Sequence, residues 1–219
     1  MFDSYRKRTV VDGATNREAM QNTTKRQMVN YMLDSPSLSY VSLGLENNDE
    51  IPALVHDVDT FYIRRFLFLP DTEVNIGDYL VHDGYRYLAT DKIDNDIYPQ
   101  LIGEVCNIDF PIYTETKRTK VGVDGLGRPI YKTDVINIIK PCVMDTKIYS
   151  QANNSPIPLP DGAMIIKLPY SLEENQTPKI NSTVMIYNEQ YKITTISYEN
   201  VIDNVGVIEV QLQRVPVYD

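Results

Sequence analysis

The sequence of 219 residues contains no tryptophan and only two cysteines and two histidines. The cysteines, Cys106 and Cys142, cannot build a disulfide framework, and their spacing matches no metal or redox motif. Both lie in apolar segments, so we expect two small buried hydrophobic residues. The histidines, His56 and His82, each precede an aspartate, but adjacent strand residues point to opposite faces of a sheet. We therefore predict surface histidines near turns and no catalytic His–Asp pair.

The sequence also lacks the motifs of a membrane span, a calcium loop and a phosphate site, which restricts its possible functions. No apolar run reaches the length of a membrane span, and the N-terminus lacks the apolar region of a secretion signal, so we expect no membrane partner and synthesis in a cytoplasm. The acidic loops at residues 46–50 and 91–96 lack the ligand spacing and glycine of a calcium loop. The glycines at residues 124–127 precede a strand pattern rather than the helix that a phosphate site needs. We therefore predict no catalytic residue, no metal and no cofactor, and a protein that is not an enzyme.

Charge is unevenly distributed along the chain. With 21 basic and 30 acidic residues the net charge is -9, which disfavours free nucleic acid as a partner. Residues 1–33 carry a net charge of +3 and the remainder a net charge of -12. The basic arm is therefore expected to attract the acidic body of its own subunit or of a neighbouring copy.

The arm contains one predicted helix, from Asn16 to Leu33. Thr15 and Glu18 have the spacing of a capping box, and Ser35-Pro36 stops the helix. Its apolar positions are sparse, so its buried stripe is narrow; they are Met20, Met28, Tyr31 and Met32. Two interpretations remain open, a helix that packs on another subunit and a helix that packs on its own domain.

After Pro36 the pattern changes to short runs rich in Val, Ile, Tyr and Thr, which predict strands. Four segments recur in the same order 99 to 106 residues later. The recurring pairs are NNDEIP and NNSPIP, RRFLFLP and AMIIKLP, IGDYLVHDGYRYLAT and INSTVMIYNEQYKITT, and LIGEVCN and VGVIEVQLQ. They predict two copies of one small antiparallel barrel or sandwich, at about residues 42–107 and 148–213. Asp83-Gly84 is the expected two-residue hairpin turn, and the second copy is expected to use three residues, 188–190.

Residues 108–147 are predicted to be an insertion between the copies. Alternating segments at 113–123 and 128–138 flank the glycine-rich turn, which indicates a long, polar, protruding β-hairpin suited to reaching a neighbour. The predicted fold class is mainly β, with two tandem small antiparallel β barrels or sandwiches after an N-terminal helical arm. The predicted domains are a basic arm with a helix (1–37), a first β-barrel domain (38–110), a protruding hairpin or linker (111–146) and a second β-barrel domain (147–219).

The order of three motifs resembles a known family. NREAMQNTTKRQMVNYMLDSPSLSYVSL, then IGDYLVHDGYRYLATDKIDND, then GEVCN is similar to the head–tail connector proteins of tailed bacteriophages, of the head-closure or stopper type. In that family a basic helical arm precedes a β barrel that has a GDY hairpin and a C-terminal CN strand. The resemblance covers about residues 5–107 and, less closely, the second barrel.

The resemblance implies a virion structural protein at the head–tail junction, synthesised in the host cytoplasm. Such proteins form a homo-oligomeric ring, a hexamer or dodecamer, between a portal or adaptor protein above and a tail terminator or tail protein below. The ring closes the channel and provides the tail attachment surface, and double-stranded DNA passes through it without specific binding. An acidic channel wall fits that passage because it repels DNA.

The predicted subunit interface lies on the basic arm and near the hairpin tip. Its residues are Arg6, Lys7, Arg8, Arg17, Lys25, Arg26, Lys117, Arg118, Lys120, Asp124 and Gly125. Three other functions remain open from the sequence. They are a phage baseplate or tail-tip adaptor, a carbohydrate- or surface-binding β module, which the absence of tryptophan disfavours, and a hydrolase that uses the acidic loops.

Overall fold

The computed structural model describes residues 13, 15–45, 50–58, 60–93, 95–123, 125–149, 156–158, 162–173 and 177–215. At residues 60–61, 113–118, 123, 133–137, 147–149 and 156–158 it describes the backbone alone. The chain forms two compact units, a first unit of residues 1–105 and a second unit of residues 106–219. Each contains a six-stranded, barrel-like antiparallel sheet, so the predicted mainly β fold with tandem barrels is confirmed.

The helix α1 spans Asn16–Leu33, as predicted. The Thr15 hydroxyl accepts a hydrogen bond from the Glu18 amide at 3.2 Å, and the Glu18 carboxylate accepts one from the Thr15 amide at 3.3 Å. These two bonds form the predicted capping box. Ala19 and Met32 are the buried residues of the helix, whereas Met20 and Tyr31 are exposed, so only a small part of the helix surface packs within its own unit. No helix in the described part of the chain is long and apolar enough to cross a membrane.

The first sheet is a closed barrel. Its strands are β1 (Leu38–Leu43), β2 (Glu50–Val58), β3 (Thr60–Phe68), β4 (Tyr79–His82), β5 (Tyr85–Ile93) and β6 (Gln100–Val105). The order around the barrel is β1-β2-β3-β6-β5-β4, and pairing of β1 with β4 closes it. Closure leaves no free sheet edge. Its core consists mainly of large alternate residues of these strands, among them Phe66, Phe68, Leu80, Tyr87 and Leu101.

The second sheet has strands of very unequal length. They are β7 (Ile108–Val123), β8 (Pro129–Asp145), β11 (Ala163–Pro169), β12 (Thr183–Ile186), β13 (Glu189–Ile202) and β14 (Val205–Arg214). Two short strands, β9 (Lys147–Tyr149) and β10 (Pro156–Pro158), pair separately with each other. The order in the large sheet is β12-β13-β14-β11-β8-β7. Phe110, Ile166, Leu168, Ile193 and Ile208 are among the fully buried side chains of its core.

The two sheets have the same strand order. Read from β4, the first barrel runs β4-β5-β6-β3-β2-β1, and the second sheet runs β12-β13-β14-β11-β8-β7. Three of the four sequence recurrences therefore join strands in equivalent positions. The fourth, between residues 47–52 and 153–158, does not, because β8 occupies the place of β2 and β10 lies in the separate pair. Residues 108–145 thus supply the first two strands of the second sheet, where the sequence predicted an insertion.

The hairpin turns correct one further expectation. Asp83 and Gly84 form the predicted two-residue turn, with φ of 51° and 78°. In the second unit Ile186 pairs with Glu189, so the turn is Tyr187-Asn188, with φ of 49° and 66°. The predicted three-residue turn at 188–190 is therefore wrong. Both turns have the left-handed backbone that matches the twist of hairpin strands.

The two cysteines differ in burial. Cys142 is fully buried in the core of the second unit, as expected, while Cys106 is half-buried. Burial raises the pKa of the Cys142 thiol, and the nearby Cys106 and Asp109 add to the effect. Because the thiolate is the reactive form, Cys142 is an inert packing residue.

Candidate interaction surfaces

The described basic residues of the arm include two that form ion pairs within the first unit. The Lys25 ammonium lies 2.5 Å from the Asp71 carboxylate, and the Arg17 guanidinium lies 3.7 Å from that of Asp96. The attraction between arm and body is therefore satisfied in part by the helix's own unit. Arg26 is exposed on the same helix, and Arg6, Lys7 and Arg8 lie outside the described residues.

The outer face of α1 is a candidate contact surface. Met20 is 73% exposed and Tyr31 is 66% exposed. The two residues are eleven positions apart, close to three full turns, so they project from the same side of the helix. They lie about 16 Å apart along the helix at the usual rise, so they are two separate apolar contact points on one face rather than a continuous patch.

A second candidate surface is the end of the β7–β8 hairpin, which we call the distal hairpin (residues 113–138). Lys117 and Arg118 lie on β7 opposite Asp134 and Thr133, and their side chains are not described. Lys120 and Gly125 are exposed near the tip, and Asp124 lies outside the described residues. Beyond these predicted residues the tip carries exposed apolar side chains that the sequence analysis missed, namely Val121, Leu126, Ile130 and Tyr131.

A polar cluster lies at one end of the first barrel. Arg64 Nη1 donates a hydrogen bond to His82 Nδ1 at 2.8 Å. The same guanidinium pairs with Asp57 at 3.1 Å and with Asp83 at 3.5 Å, and it lies 5.7 Å from the centre of the Tyr87 ring. Because arginine can only donate, His82 Nδ1 must be the unprotonated, accepting nitrogen.

His82 contradicts the prediction of a surface histidine. It is 6% exposed, and its Nδ1 lies 3.3 Å from the Asp83 carboxylate. The two side chains approach because Asp83 has left-handed backbone geometry and begins the turn, so the alternation of an extended strand no longer applies. The pKa of His82 is lowered, and desolvation is the largest cause. Arg64 also lowers this pKa, while Asp83 and Asp57 raise it. His56, by contrast, is exposed on β2, as expected.

This cluster is suited to holding the barrel end together. Three strands and one turn contribute Asp57, Arg64, His82 and Asp83, and burial favours the neutral imidazole. Burial also raises the pKa of the Tyr87 hydroxyl, and it is the largest of the causes that shift this pKa. In the described part of the chain no group of three or more His, Cys, Asp or Glu side chains could hold a metal ion.

Comparison with known proteins relates the chain to phages. Residues 106–213 match the family model described as the YomX C-terminal domain. Over 135 residues the chain is 27% identical to an SPbeta prophage-derived uncharacterized protein, YomX, of Bacillus subtilis strain 168. The match covers 58% of this chain and 59% of the relative, so the chain spans about three fifths of that protein's length. No solved structure matches the chain.

The two sequence matches indicate a phage-derived protein. Neither match identifies the head–tail connector type, and that assignment stays a prediction from the sequence motifs of the first unit. The family match begins at Cys106, the first residue of the second unit, and covers all of its large sheet except the last residue of β14.

Proposed function

We propose that this protein is a structural component of a phage virion that forms a homo-oligomeric ring at the portal–tail junction. In this role it closes the DNA channel and presents the surface to which the tail attaches. The phage-derived relative supports the setting. The distal hairpin is the observation that carries the proposal of assembly, and the motifs of the arm and first barrel support the position.

The distal hairpin extends beyond the rest of the sheet of the second unit. β8 pairs with β11 only at Val143–Asp145, so Pro129 to Cys142 pair only with β7 among the described strands. Residues 113–123 correspond to a ribbon about 36 Å long at the usual rise of a strand. A two-stranded hairpin of this kind is marginally stable in water by itself. Contact with a neighbouring subunit would stabilise it.

The composition of the tip fits such a contact. Leu126 is 78% exposed and Tyr131 is 55% exposed, and the basic side chains of Lys120, Arg128 and Lys132 are exposed around them. Apolar side chains among cations complement a surface that is acidic and partly apolar. Residues 113–138 have a net charge of +2 within a chain of net charge -9. A second copy of this protein therefore has the complementary charge, as a head-to-tail ring requires.

The test uses two double variants with the same change in charge. Leu126→Asp with Tyr131→Asp alters the distal hairpin, and Leu172→Asp with Ile202→Asp alters exposed apolar positions elsewhere in the second unit. Each is expressed in place of the wild-type chain during growth of the phage that encodes it. Protein content is measured in purified particles, and the protein is located by cryo-electron microscopy.

We expect the distal-hairpin variant to be absent from particles and the control to form a ring at the portal–tail junction. Normal incorporation of the distal-hairpin variant would contradict the proposed contact. Wild-type protein at the tail tip, or missing from particles, would contradict the position. Replacing Arg6, Lys7 and Arg8 by glutamine tests the arm separately, because it leaves α1 and the buried Met32 in place.

A further inference from the structure

A pocket of about 410 Å³ lies on the outside of the first barrel, between β2, β3 and the chain before β6. On β3 Phe66 and Phe68 point into the core, so Arg65 and Leu67 face outward. His56 lies directly opposite Arg65, and Gln100 lies opposite Leu67. Tyr98 completes this part of the lining. The pocket and the distal hairpin belong to different units, and the pocket shares only Asp57 with the Arg64–His82 cluster.

Arg65 is the notable group in this pocket. Its Nε atom is buried and has no hydrogen-bond partner, and no acidic side chain of the described residues forms an ion pair with it. A half-buried guanidinium without a counterion is costly, and a negative charge in the pocket beside Arg65 would offset the charge of its guanidinium. Asp57, also in the lining, does not supply it, because its carboxylate lies 3.1 Å from Arg64 Nε instead.

Neighbouring side chains can add hydrogen bonds to such an anion. The Gln100 amide, 9% exposed, and the Tyr98 hydroxyl both carry protons that can be donated to an oxygen atom. Val58 and Leu67 supply apolar lining, against which a carbon skeleton can pack. The pocket therefore offers a ligand several hydrogen-bond donors and two apolar side chains, the two kinds of contact that ligand sites use.

We propose that this pocket binds a carboxylate group, held mainly by the Arg65 guanidinium. The planar fork of arginine matches the two oxygens of a carboxylate. A ligand with a single negative charge is favoured over a phosphate dianion, because one unpaired arginine can offset only one negative charge. The net charge of the whole chain, -9, also disfavours a dianion. The carboxylate belongs either to a small free molecule or to an Asp or Glu side chain of a second copy of this chain. The proposal is independent of the ring proposed above.

The first experiment titrates the full chain with acetate and follows the Nε–Hε signal of Arg65 by NMR, with phosphate and chloride at equal ionic strength for comparison. We expect acetate to shift the Arg65 signal and phosphate to bind more weakly. Arg65→Gln is expected to weaken acetate binding by at least about tenfold, and Arg65→Lys, which keeps the charge but loses the fork, by less. Lys192→Gln makes the same change in charge at an exposed position of β13 and is expected to bind as wild type does.

Sedimentation distinguishes the two sources of the carboxylate. If a second copy supplies the carboxylate, Arg65→Gln weakens self-association, and acetate competes with self-association. If a free molecule supplies it, acetate changes the NMR signal of Arg65 and self-association is unchanged. The proposal is overturned if acetate leaves the Arg65 signal unchanged and Arg65→Gln leaves self-association unchanged. Tighter binding of phosphate than of acetate would also overturn it. Failure of the distal-hairpin test would leave these results unaffected, because that hairpin is in the other unit.

Discussion

At the scale of single residues, Tyr87 and Tyr191 are a matched pair of buried aromatic side chains. Tyr87 is fully buried in the first barrel, its ring packs edge-to-face on Phe66 at 5.3 Å, and its hydroxyl has no hydrogen-bond partner. Tyr191 is buried in the second unit, and its hydroxyl donates to the Glu189 carboxylate at 2.9 Å. Substitution by phenylalanine therefore removes an unpaired buried hydroxyl at Tyr87 and a hydrogen bond at Tyr191.

We expect Tyr87→Phe to raise the free energy of unfolding, or leave it unchanged, because a buried hydroxyl without a partner costs about 1 kcal/mol or more. We expect Tyr191→Phe to lower it by about 1 kcal/mol, since the Glu189 bond is lost. Urea titration of both variants measures the two changes. A loss of stability in Tyr87→Phe as large as that in Tyr191→Phe would show that the Tyr87 hydroxyl has a partner.

The buried histidine gives the first unit a specific dependence on pH. Desolvation is the largest cause that lowers the pKa of His82 below its ordinary value of 6.5. At a pH between the pKa of His82 in the folded chain and that in the unfolded chain, the unfolded chain binds more protons. The contribution of neutral His82 to stability is therefore fully present above about pH 6.5, and it is lost as the pH falls through the pKa of the folded state. Protonation of Nδ1 would also abolish the hydrogen bond from Arg64.

The variant His82→Gln should lack this contribution. We expect the free energy of unfolding of the wild type to fall, relative to that of the variant, as the pH decreases from about 7.5 to about 5. The relative loss should be about 1.4 kcal/mol for each unit by which the pKa is lowered. Urea titrations across the range measure both curves, and parallel curves would exclude His82 as the source.

At the scale of elements, the best predicted features are those that a short segment determines. Thr15 and Glu18 define the start of α1, and Asp83-Gly84 defines a hairpin turn, because their side chains or backbone freedom act within four residues. Tyr187-Asn188 was missed because tyrosine is rare at positive φ, and the strand register imposes that geometry. The burial of His82 was missed for a related reason, since its partner Arg64 comes from another strand.

Gly206 approaches the backbone of the neighbouring strand very closely. It lies in β14 at a φ of 146°, and a Cβ atom there would lie 2.0 Å from the Asn200 carbonyl oxygen of β13. The register of β13 against β14 shifts between Ser197 and Asn200, which indicates a bulge just before this contact. Neither strand can move away without loss of its ladder of hydrogen bonds.

The variant Gly206→Ala is therefore expected to lose about 3 kcal/mol of stability through backbone strain and the clash with Asn200. Gly122→Ala is the matched control, because nothing lies within 4 Å of a Cβ atom at that position of β7. We expect the control to change the free energy of unfolding by no more than about 0.5 kcal/mol. Thermal and urea unfolding measure both, and equal stability of the two variants would contradict the close approach of Gly206 to Asn200.

At the scale of the whole molecule, the internal repeat was visible in the sequence but its extent was not. The segments around Leu69-Pro70 and Leu168-Pro169 recur because β3 and β11 occupy equivalent places. The equivalence of β1–β2 with β7–β8 left no trace in the sequence, because β7 and β8 have 16 and 17 residues whereas β1 and β2 have 6 and 9. The apolar tip of the distal hairpin was missed because its polar residues dominate the local pattern.

The organisation into two units makes a final prediction about independent folding. The second unit has its own core, with Phe110 and Cys142 from the long hairpin packed against Ile166, Ile193 and Ile208. All six strands of its large sheet lie between residues 108 and 214, and the family match spans residues 106–213. A segment with its own core and a complete set of strand partners has what it needs to fold alone.

We expect residues 106–219, expressed alone, to unfold cooperatively with urea and to give a dispersed NMR spectrum. A shorter chain, residues 147–219, is the control; it has the boundary that the sequence predicted for the second domain, and it lacks β7 and β8. Without Phe110 and Cys142, and without a partner on one edge of β11, we expect that control to lack a fixed fold. A well-dispersed spectrum from residues 147–219 would show that β7 and β8 are an addition to the second barrel rather than its first two strands.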